Sequence, residues 1–481
     1  MSAILIIGQA AAARRWEHEL VARLVAAGHV VSIRHAPGTG SGASGLDTIL
    51  RIESRRFGSS LAALAQPLPA AERGTADLIV DLTGSAAGQA APVLKLDFCG
   101  HANPAAGLGA MLASAAPFEL GARLDGVLVA QARPMIGDRL WLSRACDDWL
   151  AGAVSLVMHC VARFGAGKLA ALPDAAPPSP RSGGFLRHYP AFFWRGAVER
   201  ARQKLRRGRR PFYWQVAYRL IEGPGIAETG RFDGAAFTLL PDDGERFYAD
   251  PFVIERAGRH YLFVEEFPYA GGRGVISVAE LDGNGAFGVP RKVLEEAHHL
   301  SYPQVFAQGG EVFMIPESAA ARELVLYRAE RFPDRWVRDT VLIADRDLND
   351  ATLVEAGGRF WLVGTERHGH GSASDTMAVY GAPALRGPWS AHPLNPIAID
   401  HSATRPGGAF IRGETGLMLP VQAGGRAYGG GLGLMSCERL DATDVRFSPP
   451  RPVDPGPAWA GWGVHTLNRA GRVEVVDRGP L

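Results

Sequence analysis

The chain has 481 residues, of which 47% are hydrophobic and 21% charged, and its formal net charge is +2. This length predicts two or three domains, and this composition is typical of a globular protein. The near-neutral charge gives no indication of a nucleic-acid partner, and four widely spaced cysteines without a CxxC pair indicate neither a disulfide framework nor a zinc site.

The first twenty residues, MSAILIIGQAAAARRWEHEL, do not have the order of a signal peptide. Their apolar run is short and is followed by Arg14, Arg15 and Glu17. No apolar run approaches the roughly 20 residues that span a bilayer. We therefore expect a cytoplasmic protein, with one segment, described below, that suits a peripheral contact with a membrane.

Residues 1–172 alternate strand and helix patterns, which predicts an α/β domain with a parallel sheet. The segment from DGVLVAQARP to LVMHCVARF resembles the later part of a formyltransferase fold. The resemblance implies that His101, Asn103 and Asp138 take the places of that family's catalytic groups. The family's HxSLLP-type loop is replaced here by GHANPAAGLG, so we expect a degenerate formyltransferase-like domain that binds no folate. The opening has no GxGxxG, which argues against a dinucleotide site.

Residues 173–211 are predicted to form a Pro-rich linker followed by a basic helix. Phe192, Phe193 and Trp194 precede a run of basic residues, which are Arg200, Arg202, Lys204, Arg206, Arg207, Arg209 and Arg210. Aromatic and basic side chains on one helix suit an anionic membrane surface, which would be contacted through residues 189–210. The alternative is a connecting helix whose aromatic side chains pack between domains.

Five windows of 18 residues repeat over residues 212–481. They cover residues 249–266, 301–318, 349–366, 405–422 and 463–480. Each has a glycine at its ninth or tenth place with apolar residues on both sides, and further strand-like runs lie between the windows. Units of about 50 residues with four strands are typical of propeller blades. We predict an all-β five-bladed propeller, closed by pairing of a strand near Trp214 with the C-terminal strands.

The two ends of every window are predicted to meet at one rim of the propeller, because the first strand leaves that rim and the second returns to it. Several acids in one concavity repel each other unless a ligand or a cation offsets the repulsion. The predicted catalytic residues are Asp250, Asp350 and Glu317, and the predicted substrate-binding residues are Glu265, Glu266, Tyr302, Glu366, Arg405, Gln422, Tyr428 and His465. No cofactor is predicted, and a divalent cation is the one group that the acids suit.

The rim motifs YADPFV and NDATLV resemble the two aspartate motifs of five-bladed propeller glycosidases, such as arabinanases, β-xylosidases and invertases. The resemblance implies that Asp250 is a base or nucleophile, and that Asp350 adjusts pKa values and holds sugar hydroxyls. That family has a glutamate as general acid at the entrance of the fourth blade, where this chain has RPGGAF from Arg405. Arginine cannot donate a proton near neutral pH, so Glu317 or Glu266 would have to replace the acid.

A wider resemblance covers residues 212–481. The strings FYADPFV, YLFVEEF, LSYPQVF, MIPES, RPGGAF and GVHTLN are similar to the N-terminal propeller domain of plant glucosamine inositolphosphorylceramide transferases. The resemblance implies a carbohydrate-active protein of glycan, polysaccharide or glycoconjugate biosynthesis, with a sugar, sugar phosphate or glycolipid as its anionic glycosyl ligand. If it is an enzyme, it is of the glycosyl hydrolase or transferase type. The alternative is a non-catalytic sugar-binding or docking module that serves a partner glycosyltransferase.

Overall fold

The structure is a computed structural model that describes residues 2–36, 45–71, 74–86, 89–102, 104–113, 119–173, 185–207, 213–414, 416–424 and 429–480. It consists of two compact units. Unit 1 comprises Met1–Gly208, His368–Ser372 and Leu394–Asp400, and unit 2 comprises Arg209–Arg367, Ala373–Pro393 and His401–Leu481. Most of the predicted linker, and two residues of interest, Asn103 and Tyr428, lie outside the described residues.

Unit 1 is an α/β fold. Its strands are β1 (Ala3–Gln9), β2 (Ala13–Arg14), β3 (Val30–Ala36), β4 (Leu64–Ala65), β5 (Leu78–Asp81), β6 (Val93–Phe98), β7 (Leu120–Leu124) and β8 (Val127–Ala132). Its helices are α1 (Arg15–Ala26), α2 (Gly45–Phe57), α3 (Pro104–Ala113), α4 (Leu142–Gly165) and α5 (Phe185–Arg207). The main sheet has the order β3-β1-β5-β6-β7-β8.

The main sheet of unit 1 is mixed rather than wholly parallel. Strands β1, β3, β5 and β6 are parallel to one another, whereas β7 and β8 are antiparallel additions at one edge. The turn between β7 and β8 is Asp125-Gly126, and both residues have positive φ, 48° and 87°. Two left-handed residues in a two-residue loop form the turn that suits the twist of a β-hairpin. The local sequence Asp-Gly therefore explains the antiparallel edge.

Helix α4 lies in the core of unit 1. It is long enough to cross a membrane, and its mean hydropathy of 1.2 is also that of a membrane-crossing helix. The sequence analysis did not predict this. Within the fold, however, 83% of its apolar window is buried. Its buried side chains include Trp149, Leu150 and Val154, which pack against α1, α2 and the sheet. A core helix meets the same criteria of length and composition, so this finding is weak evidence for a membrane span.

Unit 2 is built from sheets of four or five strands. It begins with β9 (Gln215–Leu220), α6 (Ile226–Thr229) and β10 (Thr238–Leu239). Blade 1 contains β11 (Arg246–Arg256), β12 (Arg259–Pro268), β13 (Val275–Glu280) and β14 (Arg291–Leu294), and blade 2 contains β15 (Ser301–Gln308), β16 (Glu311–Glu317), β17 (Glu323–Arg331) and β18 (Arg335–Ala344). Blade 3 contains β19 (Leu348–Ala356), β20 (Arg359–Glu366), β21 (Thr376–Ala382) and β22 (Ser390–Ala391).

The later strands complete the ring. A short strand of unit 1, β23 (Ala398–Ile399), comes next along the chain. Blade 4 contains β24 (Ile411–Gly413), β25 (Gly416–Gln422), β26 (Leu432–Leu440), β27 (Val445–Phe447) and β28 (Arg451–Pro452). The last strands are β29 (Trp462–Gly463), β30 (Leu467–Ala470) and β31 (Val473–Pro480).

Blade 5 is made from both ends of unit 2. Strand β9 pairs with β31 in antiparallel register, from Leu220 opposite Val473 to Gln215 opposite Arg478, and β10 pairs with β9. The strand after Trp214 therefore closes the ring against the C-terminal strands, as predicted. This pairing ties the two ends of the unit together by backbone hydrogen bonds within one sheet. The five-bladed propeller predicted from the repeats is confirmed.

Apolar clusters between neighbouring blades form the propeller core. One cluster joins blades 1 and 2, a second joins blades 2 and 3, and others join blade 5 to blades 1 and 4. Polar side chains also connect the first strands of neighbouring blades. The Gln304 amide bonds to the backbone of Leu353 in both directions, at 3.0 and 2.6 Å, and Asn468 bonds to Pro251 O and Ala409 N. These bonds fix the relative positions of the strand entrances.

Candidate functional site

Three strand entrances share an unusual backbone. Asp250, Tyr302 and Asp350 occupy equivalent places in β11, β15 and β19, and their φ angles are 48°, 45° and 48°. At each place the pairing with the next strand shifts register, which is the signature of a β-bulge. Left-handed non-glycine residues cost free energy and gather at functional sites. The repeated bulge therefore marks this rim and turns three side chains away from the regular alternation of the strands.

Asp350 is held by two side chains from blade 4. Its carboxylate accepts bonds from Arg405 Nε at 2.6 Å, from an Arg405 terminal nitrogen at 3.2 Å and from Gln422 Nε2 at 2.6 Å. All three residues are buried. The other terminal nitrogen of Arg405 donates to Ala373 O at 3.0 Å and to Ser374 Oγ at 3.3 Å. The guanidinium is thus a counter-ion of Asp350, although the sequence predicted Arg405 as a substrate-binding residue.

Asp250 has a different set of partners, from blades 2 and 5. Its carboxylate accepts bonds from Tyr302 N at 3.2 Å and from Thr466 Oγ1 at 3.1 Å, and it lies 3.3 Å from His465 Nε2. Burial, with the charge of Asp350 as a smaller contribution, raises the pKa of Asp250 to about 6, although His465 opposes the rise. At neutral pH this carboxylate is therefore close to its titration point.

Asp477 supports the same corner of the rim, and the sequence analysis missed it. Its carboxylate accepts bonds from the backbone N–H groups of His465 and Thr466, both at 3.0 Å, and lies 2.7 Å from His465 Nδ1. The indole of Trp214 lies over the His465 ring, with the centroids 4.0 Å apart. The two carboxylates raise the pKa of His465 even though burial opposes the rise. Asp477 lies in the final window (463–480), close to the end that returns to the rim, and this position was the available signal for it.

Two glutamates complete a group that we call the carboxylate cluster, defined as Asp250, Glu265, Glu317 and Asp350. Burial is the main cause that raises the pKa of Glu317 to about 8, and repulsion from Asp350 adds to it. Burial and the charges of the other three members raise the pKa of Glu265 well above its usual value. His299 lies 3.4 Å from Glu265, but burial lowers the pKa of this histidine. The cluster thus combines protonated and ionised carboxyl groups near neutral pH.

Two predicted binding residues have their partners elsewhere. Glu266 pairs with Arg246 at 2.5 Å and accepts a bond from Ser277 Oγ at 2.5 Å. In blade 3 the equivalent Glu366 pairs with Arg346 at 3.2 Å and accepts a bond from Tyr380 Oη at 2.9 Å. Successive side chains of a strand point to opposite faces. Glu266 therefore points to the face opposite Glu265, which belongs to the cluster, and Glu366 has the equivalent place in blade 3. We correct the prediction and omit both from the site.

Three further predicted substrate-binding residues are Tyr302, Gln422 and Tyr428. Tyr302 is buried, and its hydroxyl lies 2.9 Å from Thr352 Oγ1 and accepts a bond from Gly408 N at 2.6 Å, so it joins three blades. The hydroxyl is therefore engaged in contacts between blades and is not available to a ligand. Gln422 keeps one buried amide oxygen without a hydrogen-bond partner among the described residues. Tyr428 lies outside the described residues.

One combination of residues has the donor set for a divalent cation. Asp250, His465 and Asp477 each offer a ligand atom, and these atoms lie within 4.8 Å of one another. Two carboxylate oxygens and an imidazole nitrogen suit a transition metal such as zinc or manganese. A protonated His465 and a metal ion are alternatives here, because either places positive charge between the two carboxylates.

The predicted formyl-transfer residues of unit 1 do not form a comparable cluster. Asp138 pairs with Arg200 of α5 at 3.1 Å, and its carboxylate also accepts a bond from Leu140 N at 3.0 Å. His101 lies in a short loop after β6, and Asn103 is outside the described residues. Asp138 therefore has a structural partner, and nothing in the described residues assembles it with His101.

Comparison with known proteins finds relatives of the propeller. The family model for the N-terminal part of glucosamine inositolphosphorylceramide transferase 1 matches residues 241–470. The transferase of that name from Oryza sativa subsp. japonica is 34% identical over 207 residues, which are 42% of this chain and 28% of the relative. Its namesake from Arabidopsis thaliana is 32% identical over 204 residues, 42% of this chain and 26% of the relative. The chain thus spans about a quarter of the length of the plant relatives it matches.

Solved structures of carbohydrate-active proteins are also similar to this chain. An exo-β-1,3-galactanase from Clostridium thermocellum is 13% identical with a TM-score of 0.37, over 49% of this chain and 59% of its own. A β-1,2-mannobiose phosphorylase from Listeria innocua is 11% identical with a TM-score of 0.38, over 50% of this chain and 92% of its own. The formyltransferase resemblance of the N-terminal residues receives no support from the comparisons.

Proposed function

We propose that this protein is a carbohydrate-active propeller that acts on a glycosyl bond in glycan or glycoconjugate biosynthesis. The observation that carries the proposal is the carboxylate cluster, in which burial separates the protonation states of neighbouring acids. Glycosyl transfer and hydrolysis use such a pair, with one carboxyl group protonated and another ionised. The matches to the plant transferases support the carbohydrate setting.

The pKa values assign roles within the cluster. Glu317, with a pKa near 8, is protonated at neutral pH and is the proposed general acid. Asp250, with a pKa near 6, is largely ionised at that pH and is the proposed base or nucleophile. Asp350 is held by Arg405 and Gln422, so we assign it to orienting the sugar and stabilising positive charge at the anomeric carbon. Glu317 thereby replaces the acid that blade 4 lacks, and Glu266, paired with Arg246, does not.

We further propose that the sugar is carried on a phosphate or a phosphate-bearing lipid. The support is the name of the plant relatives, glucosamine inositolphosphorylceramide transferase 1, which includes a phosphate-bearing lipid. Arg405 is not the group that would read the phosphate, because both of its terminal nitrogens and its Nε already donate to protein oxygens.

A second candidate function is sugar binding without turnover, in the service of a separate glycosyltransferase. The observation that favours it is the entrance of blade 4. Arg405 and Pro406 stand where the propeller glycosidases have an acid, and Arg405 holds Asp350 in a bidentate pair. A carboxylate whose oxygens are engaged in this way suits a fixed binding surface as well as a catalytic one.

A screen of sugar nucleotides, sugar phosphates and glycolipids would separate the two functions. Thermal shift would identify ligands, and mass spectrometry would follow release or transfer of the sugar from each. Turnover by the wild type that is lost in both Asp250→Asn and Glu317→Gln supports the enzyme. Binding without turnover, unchanged in Glu317→Gln, supports the binding module. Absence of both binding and turnover across the screen would contradict the carbohydrate function.

A further inference from the structure

Helix α5 concentrates positive charge in one segment of the chain. It contains seven arginine and lysine residues against one acid, Glu199. The whole chain has 51 basic and 49 acidic residues, so the remainder of the protein is net negative. A basic helix on an otherwise slightly acidic protein is an electrostatic feature that points to an anionic partner.

One face of α5 is fixed against unit 1. Phe192 belongs to the core of unit 1 and is 6% exposed. Gly196 sits so close to the backbone of Arg139 and Leu140 that an added Cβ would meet Leu140 Cα at 2.9 Å. Arg200 pairs with Asp138. These contacts set the rotation of the helix about its own axis, so the outward face is defined by packing.

The outward face carries a stripe of apolar side chains. Trp194 is 70% exposed and Leu205 is 82% exposed, the highest values among the large hydrophobic residues described. Val198 and Ala201 lie between them at spacings of four, three and four residues, which places all four on one side of a helix. We call this set the α5 stripe. An exposed tryptophan and leucine on one helix face indicate a partner surface.

Basic side chains border the stripe on both sides. With about 100° of rotation per residue, Arg202 and Lys204 lie roughly 80° to either side of Trp194. Both are exposed. A helix with a tryptophan and leucine face and arginine or lysine at its margins lies in the interface of a bilayer, with its rings among the headgroups. Anionic lipids add attraction to the basic margins.

We propose that the α5 stripe and its basic margins bind the surface of an anionic membrane. The helix lies along the surface, with Trp194 and Leu205 inserted among the headgroups and Arg202 and Lys204 next to lipid phosphates. Phe192 of the same helix packs in the core of unit 1, whereas Trp194 faces the lipid. Membrane binding by the α5 stripe does not depend on the function proposed for the propeller.

Flotation of the full-length protein with vesicles tests the proposal. The probes are vesicles of phosphatidylcholine alone and vesicles with 30 mol% (roughly the anionic content needed for a strong surface potential) phosphatidylglycerol, at about 0.1 M salt. The wild type is expected to float with the anionic vesicles and far less with the neutral ones. Trp194→Ser with Leu205→Ser should lower the partition coefficient roughly tenfold or more, and Arg202→Gln with Lys204→Gln should lower it roughly 25-fold, about fivefold per charge.

A matched control is available on α2 of the same unit. Arg51, Ile52 and Arg55 are also exposed, and Ile52 is 60% exposed. The variant with Arg51→Gln, Ile52→Ser and Arg55→Gln should float as the wild type does. Circular dichroism of every variant checks that the fold is intact.

Five outcomes would overturn the proposal. They are a wild type that stays with the sedimented fraction, stripe variants that float unchanged, and a control variant that loses as much binding as the stripe variants. The fourth is a dimer that the stripe variants dissociate while flotation persists, which would assign the stripe to a second copy of the chain. The fifth is that the variant with Arg202→Gln and Lys204→Gln loses binding to heparin and to vesicles equally, while Trp194→Ser has no effect. This result would assign the basic margins to a soluble polyanion.

Discussion

The entrances of blades 1 and 3 carry the same residue in the same conformation with opposite electrostatic surroundings. Asp250 and Asp350 both have a φ of 48°, both follow a bulge and both are buried. Asp350 faces the guanidinium of Arg405, whereas Asp250 faces a histidine that is shared with another carboxylate, Asp477. Asp350 therefore meets a guanidinium from blade 4, the blade that follows its own, whereas Asp250 meets an imidazole and a second carboxylate from blade 5.

The difference shows how a repeated fold produces unlike groups from like motifs. Equivalent positions of a propeller receive the same backbone from local pairing, but each side chain meets residues of other blades. A carboxylate beside an arginine is kept ionised, and one among other buried acids is pushed toward its neutral form. Pairs of acids whose surroundings differ in this way are able to act as acid and base in one reaction.

The largest effect that we expect from this comparison is on turnover. Asp250→Asn and Glu317→Gln should each lower kcat/KM by roughly 10²–10⁴-fold, the usual contribution of a general acid or base. In the wild type kcat/KM should rise as Asp250 loses its proton near pH 6 and fall as Glu317 loses its proton near pH 8. Initial rates from pH 4.5 to 9.5 measure both limbs. Full activity in Asp250→Asn would assign the chemistry to other residues.

The next effect concerns the free energy of unfolding of the propeller. Asp350→Asn removes the carboxylate that pairs with the buried guanidinium of Arg405 at 2.6 Å and leaves Glu317, at 3.8 Å, as the other carboxylate partner, so it should destabilise the fold by up to about 3–5 kcal/mol. Asp250→Asn removes a repelled carboxylate and should cost far less. Urea unfolding gives the total, and hydrogen exchange of peptides from β19 and β25 assigns the loss to the rim.

A double variant provides the control for this comparison. Asp350→Asn combined with Arg405→Gln removes both charges and should recover much of the stability that Asp350→Asn loses, because no ion is left buried alone. Equal destabilisation by Asp250→Asn and Asp350→Asn would contradict the electrostatic difference between the two entrances.

A smaller effect should appear in the pH dependence of stability. The pKa of Glu317 is near 8 in the folded protein and 4.5 in its ordinary setting, so the folded state binds more protons between these pH values. Stability is therefore greatest below about pH 4.5 for this group and falls as the pH rises through 8, by about 2–4 kcal/mol. Glu317→Gln should flatten the decline in urea unfolding between pH 5 and pH 8.5. An identical pH profile in the wild type and the variant would refute the raised pKa.

The smallest effect involves Tyr302, which has the same left-handed backbone as the two aspartates but no charge. Tyr302→Phe removes the acceptor of Gly408 N and the partner of Thr352, and should cost about 1–3 kcal/mol because a buried N–H loses its partner. Tyr327→Phe is the matched control, since Tyr327 donates to Glu296, a partly exposed side chain that water can hydrate. Urea unfolding of the two variants should differ, and equal losses would show that the Tyr302 hydroxyl adds nothing to the joint between blades.

The basic helix illustrates what periodicity alone leaves open. Its aromatic and arginine residues are evident in the sequence, and they leave two interpretations open, a membrane-binding helix and a connecting helix that packs between domains. Only the packing of Phe192 and the close approach at Gly196 determine which face is buried. The formyltransferase resemblance has the same weakness, because an α/β pattern is common and the residues of its chemistry are not assembled in unit 1.

The sequence by itself determined the five-bladed ring, its closure near Trp214 and the rim on which Asp250, Glu317 and Asp350 converge. Strand and turn patterns depend on neighbouring residues, and their repetition at a nearly constant spacing allows the blades to be recognised in the sequence. Tertiary structure alone decided that Arg405 neutralises Asp350, that Asp477 stands behind His465, and that Glu266 turns away to Arg246. Those outcomes depend on distances of a few ångströms between side chains that are up to 55 residues apart along the chain, because burial and charge act through space rather than along the sequence.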